Sequence, residues 1–208
     1  MLEREAEERQ IARRHLIETL ARDLSDRNIE VVADPNAGLL HVSGDLLFDS
    51  GSYILKEEAR QTVKVLADVL GKVLPCYAEG GVRTGCPQDS EPILEALLVE
   101  GHTDHQPYRD AQGKSFGNDR LSTERALTVF EELWQSRTGL DGLRNTDQLA
   151  LLGFSGYGDR RPLPDAQGLT ETDYKRNRRI DLRFVLTPKT SSEFEELRKR
   201  IDTRLRTQ

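Results

Sequence analysis

Three stretches of this chain concentrate residues that do chemistry, and each sits where one structural element hands over to the next. The first is Gly101-His102-Thr103-Asp104, where an apolar run ends and delivers a carboxylate at its exit. The second is Asn118-Asp119-Arg120-Leu121-Ser122-Thr123-Glu124-Arg125-Ala126. On a helix Asn118, Leu121, Ser122 and Arg125 fall at i, i+3, i+4 and i+7, so they share a face. Arg125 then looks toward whatever the loop after Asp104 encloses. The third is Gly153-Phe154-Ser155-Gly156-Tyr157-Gly158, followed further on by Asn177-Arg178-Arg179-Ile180. A guanidinium is a planar fork suited to bidentate carboxylate binding, and an aspartate supplies the opposite charge. Such a pair offers recognition by charge-assisted hydrogen bonds. On its own an Asp–Arg pair is most often a structural ion pair, so its context has to carry any functional reading.

Other chemistries fit less well. Ser122 has no base at a telling spacing, which argues against a serine nucleophile. His102 and His105 flank Asp104 like metal ligands, but no further His or Cys stands in a plausible second segment, so no metal is expected. Gly153-x-x-Gly156-x-Gly158 has the wrong order for a dinucleotide-binding G-x-G-x-x-G, and Asp159-Arg160-Arg161-Pro162 follows where a helix should open. A hydrolase needs a catalytic carboxylate pair or a metal, and neither can be assigned. The chain therefore reads as a non-enzyme without a cofactor. Lys175-Arg176-Asn177-Arg178-Arg179 is basic, yet the whole chain carries a formal charge of -6, which opposes general nucleic-acid binding. Cys76 and Cys86 lie ten apart among Pro75, Gly80, Gly81, Gly85 and Pro87. A disulfide and a pair of reduced surface thiols both fit them.

Elements that can position these residues are legible in the apolar spacing. Residues 2–26 form an expected helix with a narrow stripe of Leu16, Ile17, Leu20 and Leu24, more often an intramolecular contact than a coiled coil. The turn Asp34-Pro35-Asn36-Ala37-Gly38 separates a short run, 29–32, from a hairpin or strand pair over 39–47. Val63, Leu66, Ala67 and Leu70 mark a helix over 56–73. Residues 92–100 read as a buried strand, 105–117 as a loop, and 118–136 as a helix with Ala126, Val129, Phe130 and Leu133 inward. Residues 148–154 are a third strand, and 156–173 a long Gly/Pro-rich connection. Ile180, Leu182 and Phe184 alternate with Asp181 and Arg183, a half-buried fourth strand. A charged helix is expected over 191–206. At 208 residues the chain suits one core; alternating strands and helices imply α/β or α+β. No run approaches the ~20 apolar residues of a membrane helix, and MLEREAEERQ is charged where a signal peptide is apolar. By itself that start reads as cytoplasmic; a chain cut free of an upstream anchor would begin in the same way.

Taken in order, Gly-His-Thr-Asp, N-x-x-L-S-x-x-R-A, G-x-x-G-Y-G and N-R-R-I-D resemble the C-terminal domain of OmpA, shared by peptidoglycan-associated lipoprotein and by the B subunit of flagellar-type stator motors (MotB). Leu46-Leu47-Phe48-Asp49-Ser50-Gly51 resembles the family's opening strand and loop. The likeness covers roughly residues 38–187. It leans to the stator branch, through the insertion with His105-Gln106-Pro107-Tyr108 and the charged helix before the domain, and a Zorya-type defence motor anchor falls within that branch. The cysteine loop lies outside the shared pattern.

The resemblance implies an OmpA-like βαβαβ-β sandwich with a mixed sheet covered by helices. Residues 1–37 would be a linker helix and first strand, 38–187 the binding domain, and 188–208 a charged helix. Its implied ligand is the diaminopimelate of the peptidoglycan stem peptide, whose free end is zwitterionic. Arg125 would take the carboxylate and Asp104 the ammonium. Asn118 and the backbone around Phe48, Asp49 and Thr103 would add hydrogen bonds, Leu121 an apolar wall, and Arg178 a brace. The resemblance also implies a periplasmic homodimer, inner-membrane anchored through a missing transmembrane segment and joined there to a motor A-type subunit. An envelope tether without a motor and an antiphage motor anchor are the alternatives.

Overall fold

The segments with alternating apolar residues assemble into one sheet in the computed structural model, which describes residues 2–87, 90–91, 93–109, 117–136 and 138–187. Its strands are β1 (Val32–Asp34), β2 (Leu39–Ser43), β3 (Leu94–His102), β4 (Leu152–Gly156) and β5 (Arg179–Leu186). They lie in the order β1-β2-β5-β3-β4. Only β3 and β4 run parallel; the other pairs are antiparallel. The sheet is therefore mixed, as expected. A parallel pair needs a crossover, and here it is α4 (Gly117–Gln135), packed on both strands it connects.

On β5, Ile180, Leu182 and Phe184 join the hydrophobic core with Leu97 and Val99 of β3. The three long helices among the described residues contribute to that core. α3 (Glu57–Val73) adds Val63, Leu66, Ala67 and Leu70, and α4 adds Ala126, Val129 and Leu133. α1 (Leu2–Ser25) contributes Leu16, Ile17, Leu20 and Leu24, each with no exposed surface. Full burial of one such side chain is worth about 1.5–3 kcal/mol, so this half of α1 is part of the core, on α3 and β1. The leucine stripe packs within the chain. No helix among the described residues is long and apolar enough to cross a membrane.

Backbone contact explains two motif glycines. A Cβ on Gly101 would lie 2.0 Å from the carbonyl oxygen of Ser122, and one on Gly156 would lie 2.5 Å from the amide of Thr123. Both glycines let the first turns of α4 rest directly on β3 and β4. Ser122 fastens the same joint: its hydroxyl donates to Asp119 O at 2.9 Å and accepts from Gly158 N at 2.9 Å.

Several elements depart from expectation. β2 stops at Ser43, and Gly44–Leu47 is a short helical turn, α2. Gly44 N donates to Arg178 O at 2.8 Å, which pulls the chain out of the sheet and toward the end of β5. β3 continues through His102, two residues past the expected end. The connection after β4 contains a helix, α5 (Glu171–Asn177), whose Thr170 and Asp173 form a reciprocal capping box. That T-x-x-D signature was present in the sequence and was outweighed by the surrounding glycines and prolines. β5 is buried on both faces: Asp181 is 1% exposed, not half-buried as its polarity implied. Cys76 and Cys86 are joined in a disulfide, whose loop rejoins β3 where Ile93 N and Leu94 N donate to Tyr77 O. The charged helix expected over 191–206 lies outside the described residues.

Candidate functional site

β3 ends against α4 and the start of β5, and there a cavity of about 140 Å³ opens. Its lining includes Thr103, Asp104, Asn118, Leu121, Arg125 and Arg178, with Gly51 and Tyr108 closing it. Six of the eight binding residues expected from the sequence thus meet at one cavity. Phe48 and Asp49 do not line it and act behind it. Phe48 is buried, with the Arg125 guanidinium carbon 5.1 Å from its ring centroid, a cation–π support. The carboxylate of Asp49 faces solvent near Lys56, and its main-chain oxygen serves Arg125 instead.

Arg125 is 3% exposed. Its Nε donates to Ser52 O at 2.7 Å and its Nη2 to Asp49 O at 3.1 Å. These bonds fix the plane of the fork and leave Nη1 without a hydrogen-bond partner among the described residues. Burial pushes the Arg125 pKa down, partly offset by the field of Asp45; the group remains a cation. A buried cation bonded only to neutral carbonyls is a strong receptor for a carboxylate.

Asp104 pairs with Arg178 and not with Arg125. Its Oδ2 accepts from Arg178 Nη1 at 2.7 Å, and its Oδ1 accepts from Gln106 N at 2.9 Å. A carboxylate has about four acceptor positions, so both oxygens keep capacity toward the cavity. Arg178 is also clamped by Asp45 through two bonds of 2.9 Å and by Glu171 at 3.0 Å. Hydrogen bonds from Arg178 hold the Asp45 carboxyl below the usual carboxylate range; Asp45 in turn raises Arg178 further. Thr103 Oγ1 is buried with no hydrogen-bond partner among the described residues. Asn118 spends its amide on the loop: Nδ2 donates to Asp104 O and Gln106 O, and Oδ1 accepts from Tyr108 N. It positions the 104–108 segment, a role different from the ligand contact expected of it.

Sequence reasoning missed Asp45, Glu171, the Ser52 carbonyl and Tyr108. Only the capping box near Glu171 gave a readable signal for any of these.

Behind the pocket, the other sheet face carries a second charged cluster. Glu100, His102 and Asp181 bring their ligand-type atoms within 4.8 Å of one another. Arg179 Nε bonds both oxygens of Asp181 at 3.0 Å, and Arg183 Nε bonds Glu100 at 2.9 Å. Two carboxylates are thus balanced by two guanidiniums, and a divalent cation there would add uncompensated positive charge. The cluster fits an ion-pair network. His105 lies apart from it, edge-on to Tyr174.

No protein-family model and no curated protein matches this chain. Among solved structures the match defines a fold class, that of MotB-type periplasmic domains, in agreement with the OmpA-like resemblance. A MotB-like protein from Desulfovibrio vulgaris superposes with a TM-score of 0.57 at 19% identity, covering 92% of this chain and 99% of that one. The cell wall anchor of the T6SS from Pseudomonas aeruginosa gives 0.53 at 24% identity, covering 83% and 97%. The periplasmic domain of MotB from Helicobacter pylori gives 0.52 at 19% identity, covering 80% and 85%.

Proposed function

We propose that this chain is a non-catalytic peptidoglycan-binding module of the periplasm, which anchors a membrane complex to the cell wall by gripping the diaminopimelate end of a stem peptide. One observation carries the reading: a buried, fixed guanidinium and a carboxylate with spare acceptor capacity line the same small cavity. Opposite charges lining one small cavity suit a zwitterionic amino-acid end. Charge-assisted hydrogen bonds of this kind contribute about 1.5–3 kcal/mol each. The shared fold with proteins named as cell wall anchor and MotB periplasmic domain supports the same conclusion.

Within this reading the assembly is a stator-type motor B subunit, acting as a homodimer and joined to an A-type subunit through an inner-membrane segment. The position of α1 favours it. Arg13 bonds Asn36 O and abuts Gly38, beside Leu39 at the end of β2 away from the pocket. The first turns of α1 therefore leave the domain on the side opposite its ligand.

A sacculus pull-down tests the proposal. The wild type is expected to co-sediment with purified sacculi and to release no soluble fragments. Asp104→Ala and Arg125→Ala, each checked by thermal melting, are expected to lose binding by roughly tenfold or more. Unchanged binding in both variants would remove the pocket, and released muropeptides would make the chain an enzyme.

A further inference from the structure

On the sheet face behind the binding pocket lies a separate cavity of about 630 Å³, between the β1–β2 hairpin, the 163–165 segment and α5. Small-molecule sites run from about 300 to 1,000 Å³ and are mostly apolar, with a few placed polar groups. Val32, 68% exposed, lines this cavity together with Leu163 and Pro164. Neighbouring residues at the start of β5 serve different spaces: Arg178 lines the pocket and Arg179 lines this cavity. Arg179 is 7% exposed. Its Nε is spent on Asp181 and its Nη2 on Arg161 O at 3.1 Å. Its Nη1 is buried without a hydrogen-bond partner among the described residues. A buried donor left in that state is uncommon and calls for an acceptor.

Two more donors line the same cavity. Ser43 stands at the N-cap of α2 but makes no cap bond there. Lys175, in the last turn of the helix that leads into Arg179, has no hydrogen bond or ion pair among the described residues. His41 lines the cavity too, with Nδ1 held 2.6 Å from Asp181 Oδ1. The carboxylates of the lining are engaged or distant. Asp165 pairs with Arg176 at 2.7 Å. Asp34 lies beside Leu39, and Leu39 is about 14 Å along β2 from Ser43. We propose that this cavity is a second binding site, for a monocarboxylate with a short aliphatic body. Its carboxylate meets Arg179, Ser43 and Lys175, and its chain lies against Val32, Leu163 and Pro164. One free cation matches one negative charge, and a charge-assisted bond satisfies the guanidinium. The site is independent of the peptidoglycan reading, since the two cavities share no lining residue.

The experiment is a two-dimensional amide NMR titration of the chain with hexanoate, acetate and hexylammonium. Hexanoate is expected to give saturable shifts at Val32, His41 and Ser43 and at the Arg179 Nε–H, at about millimolar concentration. Acetate lacks the body and hexylammonium the negative charge, so each is expected to bind about tenfold or more weakly. Arg179→Ala would also strip Asp181 of its cation, so the site is probed at two exposed positions instead. Lys175→Glu is expected to weaken hexanoate binding about tenfold, and Ser43→Ala about threefold. Hexanoate shifts that never saturate, that fall at Asp104 and Arg125 instead, or that keep the wild-type affinity in both folded variants overturn the site. Equal affinity for hexanoate and either of the other probes overturns the ligand chemistry assigned to it.

Discussion

Arg178 donates to Asp45, Asp104 and Glu171 together, and through them ties α2, the end of β3 and α5 around the start of β5. Asp104 is shielded from solvent, and removing its cation leaves a buried carboxylate uncompensated. Arg178→Ala is therefore expected to destabilise the domain by about 3 kcal/mol, measured by denaturant unfolding. Arg178→Lys, which keeps charge but not the bidentate fork, is expected to recover part of that. A loss below about 0.5 kcal/mol for Arg178→Ala would show that the network is a solvated surface feature. At this scale the sequence revealed the donors and hid the acceptors. The N-R-R motif marked Arg178, and helical spacing placed Arg125 beside Leu121. Asp45 and Glu171 are far away in sequence, and nothing local marks which of many carboxylates a guanidinium will meet.

Between elements, the decisive joint is the outer face of β3 and β5. Alternation along β5 was legible, and so was its apolar face. That Asp181 would also be buried was not, because the cover comes from the 157–166 segment, where Arg161 stacks over Tyr157. Burial there has a pH signature. Desolvation lowers the His102 pKa from its usual 6.5, so folding favours the neutral ring. That contribution is complete above the unfolded value and is lost as pH falls through about 6.5. Burial opposes ionisation of Asp181, but the nearby His102 ring, the hydrogen bond to His41 and the field of Arg179 outweigh it and hold the carboxyl far below its usual range. Its contribution is present above about 3.9 and disappears below. The melting temperature is expected to be level from pH 8 to 7, to decline as pH falls below about 6.5, and to drop again below about 4. His102→Gln should flatten the first decline and leave the second. A melting temperature that rises on going from pH 7 to 5 would contradict this account.

Over the whole molecule, the division of labour follows chain direction. α1 enters on one side, the helices and sheet form a single core, and the loops after β3 and before α3 meet the start of β5 on the other side to build the pocket. The order of motifs carried most of this, since Gly101, Gly156 and Ser122 are the residues that seat α4 on the sheet. The short helices α2 and α5 were not legible with the same ease, because each is set by a tertiary contact or a single capping box and not by a periodic apolar face. Under the proposed function, the pocket reads both charges of one amino-acid end. Its most direct test is calorimetric titration of the wild type with two stem tripeptides, one ending in diaminopimelate and one in lysine, which lacks the distal carboxylate. Loss of the Arg125 contact predicts that the diaminopimelate peptide binds at least about tenfold tighter. Equal affinity for the two peptides, or no binding of either, would contradict it.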